Sequence, residues 1–598
     1  MSESGEKEKR ITIPFFEGLN SLVGHNIAKK TELYHAENAR SKEIGVLEKR
    51  EGQVVLGTTV TDTTFITTAN SALFPFSSSA GQGLYRISET APNVSTIYYL
   101  ASGDKWTALT GYGAGIVSGT FDHTYAEDCC FLANYNDTNK YIKADGITVV
   151  DSTDGTGHLF NSPKASNINF YKNRLYLADF YSEGERYKTT ILRSSFPMGI
   201  IALVNEDYDS DSPNTLKVTD NKYFYTDTGA NIYDIYRGGT KITTITVTTI
   251  NETDVTVTGT ITELLSSDEI WISGTYNGEK KIRWINNPST TGQDVKRYDS
   301  FKMSGGENDP TTMMTNIGNV MMISNKSTMA SWNDYTLENF DLDIGNVSKK
   351  GYVKILGTLY FMHYTGVYAT SGGIPRLMSN KIEKYITGAT KAGLEACAAG
   401  KKGKSIFFTI GDVTLYNSDG STQKTLSDVC LEYNLTQENW FVHTNVRATE
   451  FATFVETSDV NKLELIDNEG NKAVKEFLSG ETDNGTEINF RIDTIKLTPM
   501  PTTFDYYIKP MTLLIETDRG SALQAYVNLD KKEEFYPLEG KITKGLSVLK
   551  INNKDSERGK PPVCRLISIS LRDSSKQLCK ISRMALSFLP TTEREDNN

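Results

Sequence analysis

Metal ligation and proton transfer would fall first to the six histidines of this 598-residue chain: His25, His35, His123, His158, His363 and His443. None has a histidine two or four positions away, and none stands in an H-E-x-x-H frame, so their spacing points to solvated or hydrogen-bonded side chains. The run Asp207-Tyr-Asp-Ser-Asp211 begins like a calcium loop. Ser212 stands where that loop needs its turn glycine, however, and Val218 where it needs a bidentate glutamate, which leaves a solvated acidic loop. Ser418-Asp-Gly-Ser-Thr422 reads as a hairpin turn. Gly111-Tyr-Gly-Ala-Gly115 lies among strand-like residues with no following helix to hold a phosphate, and there is no Walker loop or nucleophile elbow. Paired carboxylates for glycoside cleavage stay open, because two acids need only meet in space. The expectation is a protein that is not an enzyme, with no catalytic residue, metal or cofactor assigned.

The elements available to position such groups are strands. Apolar strand, short polar turn and second strand recur at Phe131 to Ala133 with Asn139 to Gly146, Asn173 to Asp179, Val320 to Asp334, Leu359 to Gly373, Ile406 to Gly420 and Ala452 to Gly470. Such units cannot bury their apolar faces alone, and loose repetition at this scale predicts blades of a β-propeller, seven by our reading. The fold class expected is mainly β: an extended N-terminal arm, a β-propeller interrupted by a small inserted β-domain, and a C-terminal β-sandwich. The 47 glycines and 31 tyrosines fit strands and turns.

Residues 1–57 read as a polar tail and an arm with too little apolar material to fold alone. Residues 58–230 hold the first propeller part, and 231–284 a threonine-rich insertion. Residues 285–480 hold the second propeller part, and 481–598 the sandwich and a polar tail. One helix is expected, with Asn380 as N-cap and Glu383 three positions on, its apolar stripe running through Ile382, Tyr385, Ile386, Leu394 and Cys397 across a blade edge. Phe196 to Val204 is the most apolar run, far short of the ~20 residues that span a bilayer. It is either a buried strand or an exposed loop that touches a partner or a membrane.

The start of the chain, rich in Glu, Lys and Ser, reads as lacking a signal peptide. The six cysteines show no ladder of spacings, which predicts reduced, buried thiols. With 74 acidic and 63 basic residues the net charge is -11, against a protein that gains affinity by neutralising duplex phosphates.

Phe16-Glu-Gly-Leu-Asn20, Ala36-Glu-Asn38 and Glu48-Lys-Arg-Glu-Gly52 together resemble the opening of tail nozzle proteins of short-tailed bacteriophages, also called tail tube or head-to-tail stabilisation proteins. Gly366-Val-Tyr368, Gly372-Gly-Ile-Pro-Arg376 and Ser379-Asn-Lys-Ile-Glu383 resemble their propeller stretch. The resemblance extends over nearly the whole chain in the order of elements. It implies a structural virion protein, assembled in the host cytoplasm, that forms a homo-hexameric tube below the portal and adaptor ring, with tail fibres or other tail proteins at its sides. Genome DNA would pass through without sequence-specific binding. Ile11, Ile13, Phe15, Phe16, Leu19, Asn20, Asn38 and Arg50 are then expected to contact a neighbouring subunit or the adaptor, since an interface can supply the burial an arm lacks. The alternative is a carbohydrate-binding or carbohydrate-cleaving receptor-recognition propeller of the tail. A protein-interaction propeller of the Trp-Asp type is disfavoured, because the blades lack that ending.

Overall fold

The computed structural model describes most of residues 8–591. It leaves out, besides segments of at most five residues, residues 14–16, 22–30, 57–70, 111–115, 152–158, 195–199, 205–214, 218–231, 259–268, 281–299, 498–506 and 551–563. The Asp207 loop, the Gly111 turn, His25, His158, Phe15 and Phe16 lie outside the described residues. The chain divides into two compact units. One comprises Thr58–Lys349 and Ser371–Ile374, the other Met1–Gly57, Lys350–Thr370 and Pro375–Asn598.

The chain is mainly β, and its repeating element is the antiparallel meander of about four strands from which propellers are built. Four meanders belong to the first unit. They start at Ala72–Ser78, Asp122–Ala126, Lys164–Tyr171 and Met313–Ile317. Three belong to the second unit, starting at Tyr352–Ile355, Ala399–Lys402 and Ala448–Val455. The described residues of every strand cassette picked out from sequence fall on strands and turns of these sheets.

The strand Cys129–Ala133 shows why the cassettes are apolar throughout. Successive side chains point to opposite faces. Cys130 and Leu132 pack with Phe74, Tyr85 and Ile87 of the first meander, whereas Cys129, Phe131 and Ala133 pack with Ile168, Leu175 and Leu177 of the third. A sheet buried on both faces needs apolar residues at both parities. The adjacent cysteines therefore face opposite ways, and all six cysteines are buried thiols outside any disulfide.

The first strands of neighbouring meanders carry side chains that close each other's backbone edge. Asp122 Oδ2 accepts the Ile168 N–H at 3.0 Å and Thr124 Oγ1 the Phe170 N–H at 3.1 Å. On the next sheet, Asn316 Nδ2 donates to the Phe170 carbonyl at 2.6 Å. Unpaired strand edges invite aggregation, and these bonds satisfy them internally. Burial pushes the Asp122 carboxyl up to about 6, although the N–H groups of Ile168 and His123 and the charge of Lys349 pull the other way.

The third meander runs Lys164–Tyr171, Arg174–Ser182 and Glu185–Arg193, and takes its fourth strand, Ser300–Lys302, from beyond residue 299. Between them lies a six-stranded sheet from Ile200–Val204 to Glu269–Ser273. Ile200–Val204, the described part of the apolar run, is one of its edge strands, paired antiparallel with Glu269–Ser273. Threonines at alternate positions of Thr240–Ile250 and Asp254–Thr258 suit β-branched pairing.

The expected single helix is instead three short pieces. A 3-10 turn, Asn380–Ile382, has Ser379 before it and no side-chain cap bond. It leads into α1 (Glu383–Gly388), and α2 (Lys391–Glu395) is capped by Thr390, whose side chain accepts the Gly393 N–H. The break falls at Ala389, whose extended backbone lets it bridge to Val413 of the sixth meander. The pieces still bury Ile382, Tyr385, Ile386 and Leu394 as the stripe required.

The described strands of the N-terminal segment are paired into sheets. Lys9–Ile13 pairs with Lys580–Thr591, Leu33–Glu37 with Phe490–Thr494, and Gln53–Val55 becomes the fourth strand of the seventh meander. At the C-terminal end, Phe490–Thr494, Gln524–Leu529 and Ile567–Asp573 share one sheet, and Tyr507–Thr517, Gly545–Lys550 and Lys580–Thr591 another.

Truncating Phe131, wholly buried between two sheets, to alanine is expected to cost about 3–5 kcal/mol. Urea unfolding followed by tryptophan fluorescence measures it, and a loss below ~1 kcal/mol contradicts burial of this face against the third meander.

Candidate functional site

The residues singled out from sequence converge where the N-terminal segment crosses the second unit. Leu33–Glu37 lies between two strands. It pairs antiparallel with Phe490–Thr494 and, through Glu37 and Val442, parallel with Asn439–His443. The sixth meander and the C-terminal strands thereby become one nine-stranded sheet.

Asn38 follows with φ of 55°, a left-handed conformation that asparagine tolerates better than most residues. Its side chain behaves like a second backbone. Oδ1 accepts the Thr444 N–H at 2.9 Å and Arg50 Nε at 2.8 Å, while Nδ2 donates to Thr444 Oγ1 at 2.8 Å and to the Asn489 carbonyl at 2.6 Å. Arg50 is wholly buried. Its remaining donors reach Asp483 at 2.8 and 2.5 Å, the Thr444 carbonyl at 3.0 Å and the Glu51 carbonyl at 3.0 Å, so all five N–H groups of the guanidinium are used. The crossing is tight enough that a Cβ on Gly52 would lie 1.9 Å from the Thr482 carbonyl oxygen.

Other charges complete the junction. Lys49, also buried, reaches Asp573 at 3.4 Å and the Ser575 carbonyl at 2.5 Å. Arg40 pairs with Glu432 at 3.1 Å, and His443 Nε2 lies 2.8 Å from the other Glu432 oxygen. Glu37 receives Lys424 at 2.6 Å and lies 3.3 Å from His35. Burial opposes ionisation of Glu432, but Arg40 and His443 outweigh it and hold its carboxyl down at about 2. Burial likewise opposes Glu37, and His35 with Lys424 holds it at about 2. Burial pushes the His443 imidazole below its ordinary value, which favours a neutral ring donating from Nε2.

Of the residues expected to contact a neighbour, Ile13, Leu19, Asn20, Asn38 and Arg50 are buried within this chain, and Ile11 is half-buried opposite Leu586. Leu19 N–H bonds the Trp440 carbonyl at 3.1 Å and Asn20 Nδ2 bonds Glu32 at 2.9 Å. Strands of the same chain thus supply the burial that these described positions need. Sequence reading missed Glu432, Asp483 and Asp573, and took His443 only as one of six solvated or hydrogen-bonded histidines. The one legible signal was a glutamate inside the apolar run Val429 to Tyr433. The matched charges of the junction suit a mechanical clamp, and among the described residues no three His, Cys, Asp or Glu side chains group as for a metal.

No family model matches the chain, and no curated protein matches it by sequence. Among solved structures, the WD40 β-propeller domain of Doa1 is 6% identical over 71% of this chain and 97% of that one, with a TM-score of 0.30. BamB from Moraxella catarrhalis is 10% identical over 70% and 96%, with a TM-score of 0.27. The six-bladed fucose-binding lectin of Aleuria aurantia is 10% identical over 64% and 96%, with a TM-score of 0.25. Likeness at this level carries no argument, and the propeller-type architecture is read from the meanders themselves.

Arg50→Ala strands Asp483 and Asn38 in a buried site and is expected to cost about 3–5 kcal/mol. Arg50→Lys should recover little of it, because three donors on a point charge cannot replace a five-donor fork. Chemical denaturation of both variants checks this. Acid should also loosen the clamp. The folded-state values of His443, Glu37 and Glu432 lie below their unfolded ones, so their contribution is present above those unfolded values and fades as pH falls. It starts to fade near 6.5 for His443 and runs from 4.5 towards about 2 for the two glutamates, while Asp122 acts in the opposite sense between about 6 and 3.8. Melting temperature should decline from pH 7 to 3, and a rise throughout that range contradicts the assignment.

Proposed function

We propose that this chain is a structural subunit of a short-tailed bacteriophage tail, assembling with copies of itself into a hexameric nozzle below an adaptor ring. Genome DNA leaves the capsid through it. The observation that carries this reading is the order of elements: an N-terminal segment, meanders interrupted in the third by an inserted sheet, and C-terminal sheets. The same order is implied by the resemblance at Phe16 to Asn20 and Gly366 to Glu383.

In this reading the seven meanders are blades of one β-propeller whose last blade is completed by Gln53–Val55. The two C-terminal sheets form a sandwich. The protein performs no catalysis and resides in the virion tail. Its net charge of -11 suits a conduit that should not hold passing phosphates.

Subunit contact would then fall on side chains the fold does not use. Leu356 is 83% exposed, with φ of 51°, in the two-residue turn between Tyr352–Ile355 and Thr358–His363. Such turns favour Asn-Gly, so an apolar side chain there costs backbone energy and returns no burial within the chain.

Mass spectrometry of purified virions should detect the chain, and electron microscopy should place it in sixfold density at the tail. Absence from the particles, or a chain that stays monomeric beside its adaptor ring, overturns the reading. Glycan-array binding by an unassembled chain would favour receptor recognition instead. Leu356→Asn should raise the melting temperature of the isolated chain while weakening its assembly in native mass spectrometry.

A further inference from the structure

On one face of the C-terminal strands, two part-buried arginines stand side by side. Arg491 of Phe490–Thr494 is the register partner of Arg572 of Ile567–Asp573, which in turn is opposite Gln524 of Gln524–Leu529. The next residues along, Ile492, Leu571 and Ala525, are buried, so the arginines occupy the other face, and each is only part-buried. Like charges directly opposite one another destabilise a sheet unless something compensates them.

Only one of the pair is compensated. Arg491 Nε lies 3.2 and 3.1 Å from the two Asp493 oxygens and its Nη2 lies 2.7 Å away. Arg572 has no carboxylate partner among the described residues. Its Nε donates to Ser570 Oγ at 3.1 Å, and its guanidinium lies over Tyr526 at 4.5 Å and Phe535 at 5.4 Å from the ring centroids. Arg491 lies over the same Phe535 ring at 5.9 Å. Tyr526 is itself fixed, its hydroxyl donating to Gln524 Oε1 at 2.6 Å. Burial and the neighbouring Arg491 lower the Arg572 pKa against the pull of Asp493, the response of a cation short of counter-charge.

We propose that Arg572, with Arg491 beside it and Tyr526 and Phe535 beneath, forms a binding site for an oxyanion, the carboxylate or phosphate group of a ligand. Aromatic faces restrain the guanidinium plane, which leaves its Nη edge to bond an anion with two parallel N–H groups. Restraint before binding reduces the ordering cost, and the anion would relieve the repulsion between the two arginines. Arg491, held by Asp493, contributes charge and orientation more than free donors. The proposal stands independently of the tail reading.

Isothermal titration of the full chain with inorganic phosphate, and separately with malonate, in low-salt chloride buffer tests this and distinguishes the two sources. Saturable binding of either anion is expected. Arg572→Gln should weaken it about tenfold or more, since hydrogen bonds to a charged group are lost. Arg572→Lys should weaken it also, because the fork and the stacking go while the charge stays. Unchanged melting temperatures show that the variants fold, and Tyr526→Leu offers a second route if Arg572→Gln does not. No saturable binding of either anion, or equal binding by wild type and Arg572→Lys, overturns the proposal.

Discussion

The five-residue strand Leu33–Glu37 is the constraint on which the larger unit depends. Without it, Asn439–His443 and Phe490–Thr494 would each present a bare backbone edge, the feature natural sheets take most care to hide. Its two sides obey different rules. One ladder is antiparallel and the other parallel, so the strand must be held at a register that neither neighbour alone specifies. Asn38 and Arg50 do this by binding Thr444, Asn489 and Asp483. A slip by one residue would turn Leu33 and Glu37 to the wrong faces and strand the guanidinium.

Buried charge is an expensive way to hold a register. Taking Arg50, Lys49 and Glu432 out of water costs several kcal/mol per ion before pairing offsets it. A hydrophobic clamp could match the stability but would accept several registers, whereas a fork with five bonded donors accepts one. The arrangement also has a consequence for folding. Arg50 is separated from Asp483 by 433 positions and Lys49 from Asp573 by 524. The charges emerge early in synthesis and their partners late, so closure of this junction is a non-local event that must follow formation of the intervening meanders.

The meanders were legible in the sequence because their chemistry is local. Strands buried on both faces read as continuous apolar runs, such as Cys129 to Ala133. Their hairpins use residues that tolerate positive φ: Asp128 at 59°, Asn173 at 61° and Asp334 at 88°. The arm was legible as a segment that must dock, but its dock was not. A sequence shows that Ile13 and Leu19 need burial and says nothing of whether the cover is the same chain. Ile200–Val204 reads like any blade strand, and only its pairing with Glu269–Ser273 assigns it to another sheet. The helix was drawn as one because its apolar stripe is continuous, whereas the bridge from Ala389 to Val413 decides the break.

The same register logic explains why uncompensated charge appears where it does. On the face that carries the two arginines, one row runs Glu37, Arg491, Arg572 and Gln524, and the next His35, Asp493, Ser570 and Tyr526. Near the crossing strand each charge has a partner, because Lys424 on Glu37 and Asp493 on Arg491 belong to the clamp. Further from it the partners become a hydroxyl and two aromatic rings, which hold a guanidinium in place without neutralising it. A cation whose position is fixed and whose charge is unmet carries no penalty large enough to unfold the sheet, since one edge still faces water. It does carry a standing preference for an anion. The clamp consumes the carboxylates nearest to it, and the charge left over at the far side of the sheet is what a ligand would meet.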